Sequence, residues 1–136
     1  MSNTRSLFVN LVVSDLPRAR AFFERLGLTV NLQFSNDDAA CLVLSEHAFF
    51  MLHTPASMQR FSSLPPGDPR AQVSGIYAFS VADRHEVDVL ADRALEAGGS
   101  VCNPPMDHGF MYLRSFLDPD GHPWEVFWMD PAHVQG

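Results

Sequence analysis

The side chains in this sequence that could do chemistry are few, and most lie in its last third. Glu125 closes the run His122-Pro-Trp-Glu125, with His108, Tyr112 and Arg114 shortly before it. A carboxylate facing an apolar cup is a candidate general base; the competing reading is a buried ion pair with Arg114. Tyr112 and Arg114 stand two apart on one strand and share a face. Together they suit a carboxylate or phosphate ligand, or else they pack and bridge to Asp118 or Asp120. His108-Gly109 follows the kink at Pro104-Pro105. It could close over a pocket and pass a proton, or be a turn histidine in solvent. His122 reads as shaping the Asp-Gly turn. Cys41, inside a strand, reads as a small hydrophobe rather than a nucleophile. No Gly-x-Ser-x-Gly elbow and no phosphate-cradling glycine loop occurs.

These residues must be positioned by regular elements, and the pattern supplies them. Leu7 to Val13 reads as a strand buried on both faces. Asp15 then caps a helix whose apolar repeat is Ala19, Phe22, Phe23 and Leu26, and Gly27 stops it. Strands follow at Thr29 to Phe34, Ala40 to Leu44 and Phe49 to His53. A proline-rich connector, residues 55–72, leaves room for a short helix near Ser57 to Ser62. The second half repeats the first: a strand at Gly75 to Val81, a helix capped by Asp83 with Val87, Leu90, Ala91, Ala94 and Leu95 inward, and glycines at Gly98 and Gly99. Strands come next at Ser100 to Asn103, Met111 to Leu117 and Trp124 to Met129, the last two joined by Asp118-Pro-Asp-Gly121. Val13-Ser-Asp15 and Val81-Ala-Asp83 mark the same point in each half. The expectation is one α+β domain, residues 1–136, of two tandem βαβββ modules (5–54 and 73–131) forming a cupped mixed sheet.

With 136 residues the chain can bury roughly two thirds of its unfolded surface, enough for a core without staples. Its net charge of −7, with no cluster of Lys or Arg, argues against nucleic acid or an anionic membrane as partner. A small anionic ligand stays open, because one well-placed Arg decides that locally. No run reaches the length of a membrane span, no leader pattern opens the chain, and the two cysteines read as reduced thiols. A cytoplasmic protein is the expectation.

Two stretches carry a family resemblance. Val13 to Gly27 (Val-x-Asp-Leu, then Phe-Phe-x-x-Leu-Gly) and Phe116 to Val126 (Phe-Leu-Asp-Pro-Asp-Gly-His-Pro-Trp-Glu-Val) resemble the opening and closing of the glyoxalase/bleomycin-resistance/extradiol-dioxygenase, or vicinal oxygen chelate, superfamily. Phe8-Val-Asn-Leu11, the first hairpin from Phe34 to Cys41 and His108 to Ser115 are similar to a branch labelled as predicted lactoylglutathione lyases. The resemblance implies one divalent metal held by His, Glu or Gln inside the cup. Its ligand positions fall here on Phe8, Ile76, Met51 (or, with the register uncertain by two residues, His53) and Glu125. One carboxylate among apolar residues cannot hold a transition metal tightly. No cofactor is therefore expected, with a rebuilt site of Asn10, His53 and Glu125 as the weaker alternative.

Two functions compete on these grounds. One is a metal-independent, glyoxalase-like lyase or isomerase acting on a small carbonyl compound or thiol conjugate. Glu125, His108 and Tyr112 would be catalytic, and Arg114, Phe8, Asn10, Met51, Ile76 and Phe110 would bind the ligand. Removing a proton next to a carbonyl is the simplest chemistry that the resemblance implies. The other is a sequestration protein of the bleomycin-resistance type, without chemistry, walled by Phe8, Phe34, Phe49 and Phe110. The resemblance also implies a homodimer, for which Trp128 and Met129 are candidate surface.

Overall fold

A computed structural model describes residues 5–133. The chain divides into two compact units, Met1–Gly67 and Asp68–Gly136.

In the first unit, strand β1 (Leu7–Val12) leads into helix α1 (Leu16–Arg25). The Asp15 carboxylate accepts the Arg18 backbone N–H at 3.1 Å, and Pro17 sits in the first turn, where a missing N–H costs nothing. Gly27 takes a φ of 96° just past the helix end, a conformation that a side chain would strain. Leu16, Ala19, Phe22 and Phe23 form the buried stripe. Each phenylalanine contributes about 1.5–3 kcal/mol by leaving water. Strands β2 (Thr29–Asn31), β3 (Ala39–Ser45) and β4 (Ala48–His53) complete a sheet in the order β1-β4-β3-β2, with β1 and β4 parallel. The short helix α2 (Pro55–Met58) follows at once.

The sequence expectation needs correcting at two places here. β1 is buried on one face only. Leu11 and Val13 are buried, while Phe8, on the other face, is 51% exposed and Asn10 is exposed beside it. An apolar β-branched run reads the same whether its second face is covered or left for a ligand. The second strand also stops early, at Asn31, because the Asn31 side chain accepts the Gln33 N–H at 3.0 Å and starts a single 3-10 turn over Leu32–Phe34.

In the second unit, β5 (Tyr77–Ser80) is followed by α3 (Arg84–Glu96), capped by the Asp83 carboxylate, which accepts the Glu86 N–H at 2.8 Å. Two short strands, β6 (Ser100–Val101) and β7 (Met106–Asp107), both pair with β8 (Met111–Leu117). β9 (Pro123–Met129) lies between β8 and β5, parallel to β5. β7 has no counterpart in the sequence reading, since two residues are too few for a periodicity. The α3 face of this sheet holds Phe116, Trp124 and Val126, all fully buried, and the helix supplies Val87, Ala91 and Ala94. The β8–β9 turn is fixed by Asp118, only 4% exposed, whose carboxylate accepts the backbone N–H groups of Asp120 and His122, the Trp124 Nε1–H at 3.1 Å and the His122 ring nitrogen at 2.8 Å. His122 thus shapes the turn. Each unit is a β-α-β-β-β module, the second with β7 added, as expected for an α+β chain with an internal repeat.

Candidate functional site

Residue parity places the candidates of the first unit. β1 and β4 run side by side with Phe8 opposite Phe49, Asn10 opposite Met51 and Val12 opposite His53. Leu11 and Leu52 pair on the buried face, and by alternation Phe8, Asn10, Phe49, Met51 and His53 share the other. The Phe8 and Phe49 rings stack there, with centroids 4.6 Å apart and planes 13° from parallel. Such a pair forms a flat apolar ledge, half open to solvent.

Beside the ledge, three side chains form a continuous chain of hydrogen bonds. His53 Nε2 lies 2.8 Å from Asn10 Oδ1, and His53 Nδ1 lies 2.8 Å from Ser57 Oγ. The geometry follows from the chain itself: β4 ends at His53, Thr54 caps α2, and the first turn of that helix carries Ser57 back over the strand end. The Thr54 hydroxyl accepts the Ser57 N–H at 3.2 Å. Phe61 adds a ring 5.3 Å from the imidazole. His53 and Ser57 are each only 2% exposed. Burial pushes the His53 pKa below its usual 6.5, so the ring is neutral at neutral pH.

The second unit sorts its candidates onto opposite faces. Glu125 pairs in register with Ala78 on β5 and Ser115 on β8, on the face away from α3, and is half-buried. Among the described residues its carboxylate has no hydrogen bond or ion pair. Ile76, 58% exposed, directly precedes β5. Tyr112 and Arg114 lie on the α3 face instead. The Tyr112 hydroxyl donates to Asp88 Oδ1 at 2.7 Å, and Arg114 donates to Asp88 and Asp92 at 3.1 and 2.9 Å. The hydrogen bond from Tyr112, then Arg114, holds the Asp88 pKa below the usual carboxylate value; the Asp88 bond likewise raises that of Tyr112. The Arg84 guanidinium sits 4.7 Å over the Tyr112 ring and pairs with Asp107. Arg114 therefore bridges to neither Glu125, Asp118 nor Asp120. Tyr112 and Arg114 do not converge with Glu125. His108 is exposed on its loop, and Phe110 stacks on His133 at 4.6 Å.

A divalent metal fits this donor set poorly. Phe8 is stacked on Phe49, Ile76 is aliphatic, and both ring nitrogens of His53 are engaged by Asn10 and Ser57. Among the described residues no three His, Cys, Asp or Glu side chains are grouped to hold an ion. Sequence reasoning missed Ser57, Asp88 and Asp92. The Thr54-Pro55 helix start one residue after His53 was the available signal for Ser57. Nothing local pointed to Asp88, because its partners lie 24 and 26 residues away.

Residues 5–126 match the family model of the Glyoxalase/Bleomycin resistance protein/Dioxygenase superfamily. A family enzyme from Burkholderia phytofirmans PsJN is similar in structure, with a TM-score of 0.74 at 19% identity over 90% of this chain and 96% of that one. Lactoylglutathione lyase from Agrobacterium tumefaciens gives 0.69 at 20% identity over 98% and 100%. A fosfomycin resistance protein from Mesorhizobium loti gives 0.68 at 18% over 97% of each. At these identities the likeness shows the fold alone. No curated protein matches the chain in sequence.

Proposed function

Because the chain belongs to the glyoxalase/bleomycin resistance/dioxygenase superfamily, we propose that it holds a small organic molecule on the open sheet face of its first unit, without a resident metal. The observation that carries this reading is the Phe8–Phe49 ledge. Where the resemblance implies a metal ligand on the first strand, this chain exposes a phenylalanine ring stacked on a second one. Stacked, half-exposed aromatic surface recognises flat apolar bodies, and ring contacts of this kind contribute about 0.5–1.5 kcal/mol beyond the buried area. The family is one in which small-molecule binding and chemistry both occur.

A calorimetric titration with 2-acetylnaphthalene, with a chelator present, tests it. Wild type should bind, and Phe8→Ala should bind about tenfold more weakly, the equivalent of about 1.4 kcal/mol. Equal affinity in the two proteins rejects the ledge as the binding surface.

A second reading, a lyase or isomerase, is favoured by one observation: the Glu125 carboxylate stands without a partner among the described residues. A carboxylate so placed can take a proton next to a carbonyl. One relative in structure is a lactoylglutathione lyase. Turnover of lactoylglutathione by metal-free protein, abolished in Glu125→Gln, would favour this reading over sequestration.

A further inference from the structure

We infer that Asn10 is the specificity-determining donor of this face, reading a hydrogen-bond-accepting oxygen on the bound molecule, and that His53 and Ser57 are positioning residues that aim it. The inference rests on the ledge reading above and deepens it by naming the ligand class: a flat apolar body carrying a carbonyl-type oxygen.

A neutral imidazole such as that of His53 has one N–H and one bare nitrogen. Nε2 faces Asn10 Oδ1, a carboxamide oxygen that can only accept, so Nε2 carries the hydrogen and donates. Nδ1 is then bare and accepts from the Ser57 hydroxyl. Ser57 is suited to this. Its backbone N–H is held by the Thr54 hydroxyl, and its burial keeps water from competing for the Oγ–H. With Asn10 Oδ1 on Nε2 every bond runs one way, Ser57 to His53 to Asn10; the reversed chain needs both the other tautomer and the amide turned over, and the first is the arrangement inferred.

The consequence falls on Asn10. In this tautomer the Asn10 oxygen is taken by His53, and the amide cannot turn over without placing an NH2 group against an N–H. Its two N–H donors have no partner among the described residues, and the residue is exposed on the face that carries Phe8, Phe49 and Met51. An ordinary exposed asparagine presents donor or acceptor as the ligand requires. This one presents donors only. It should prefer an acceptor oxygen and gain nothing from a matching apolar group.

Two neutral probes of nearly equal shape test this, 2-acetylnaphthalene and 2-ethylnaphthalene, with the His53 tautomer read separately by long-range nitrogen–proton NMR. Wild type should show the Nε2–H tautomer and bind the ketone about tenfold tighter than the hydrocarbon, the worth of one hydrogen bond. Asn10→Asp keeps an acceptor for His53 but offers no donor. It should lose that preference while still binding 2-ethylnaphthalene. Ser57→Ala should mix the tautomers and reduce the preference, and Ser57→Thr should restore both, which a merely structural role of the hydroxyl would not require. An Nδ1–H tautomer in wild type, or equal affinity for the two probes, overturns this inference and leaves the ledge standing. Binding of neither probe overturns both.

Discussion

At the scale of single residues, buried polar side chains fix the β8–β9 turn and the end of β4. Asp118 gathers donors from Asp120, His122 and Trp124 in the β8–β9 turn. Asp118→Asn leaves one oxygen to do the work of two and turns an NH2 group toward N–H donors. It should lower unfolding stability by about 2–3 kcal/mol, since bonds to a charged group are worth about 1.5–3 kcal/mol each. Urea unfolding measures this. The Asp-Pro-Asp-Gly motif made the turn legible in sequence; the Trp124 bond was not, because it depends on where the next strand lays its indole. His53 makes a pH prediction. Its folded pKa is depressed, so below about pH 6.5 the unfolded chain takes up a proton that the folded chain refuses. The stability linked to His53 is fully present above that pH and declines as pH falls toward the folded pKa. His53→Gln should flatten that part of the wild-type pH dependence in thermal or urea unfolding.

At the scale of elements, the helices were the most legible parts. Asp15 and Asp83 cap where their side chains and the following apolar repeats said they would, and Gly27 and Gly98 end the helices at positive φ. Strand faces were less legible. Alternation tells which residues go together, but not which face an intervening helix will cover. Tyr112 and Arg114 share a face as their spacing requires, yet α3 covers that face and supplies Asp88 and Asp92. Tyr112→Phe should therefore act on stability, costing about 0.5–1.5 kcal/mol for the lost bond to a partly exposed carboxylate. It should leave probe affinity unchanged. If Tyr112→Phe instead abolished binding while stability stayed constant, the assignment of faces in the second unit would be wrong.

At the scale of the whole molecule, the internal repeat and the two terminal motifs were enough to read the superfamily, and the family match over residues 5–126 agrees. No described helix is long and apolar enough to cross a membrane. The particular function is harder to read, because it depends on which residues occupy a few positions that the fold leaves free. Phe8 and Ile76 stand where the resemblance implies ligands, and His53 is tied to Asn10 and Ser57 rather than open to an ion. The central claim is the proposal that this member holds its ligand without a resident metal. Elemental analysis of protein purified without chelators tests it most directly. The account predicts divalent metal far below one equivalent per chain; a stoichiometric ion that remains through dialysis would contradict it.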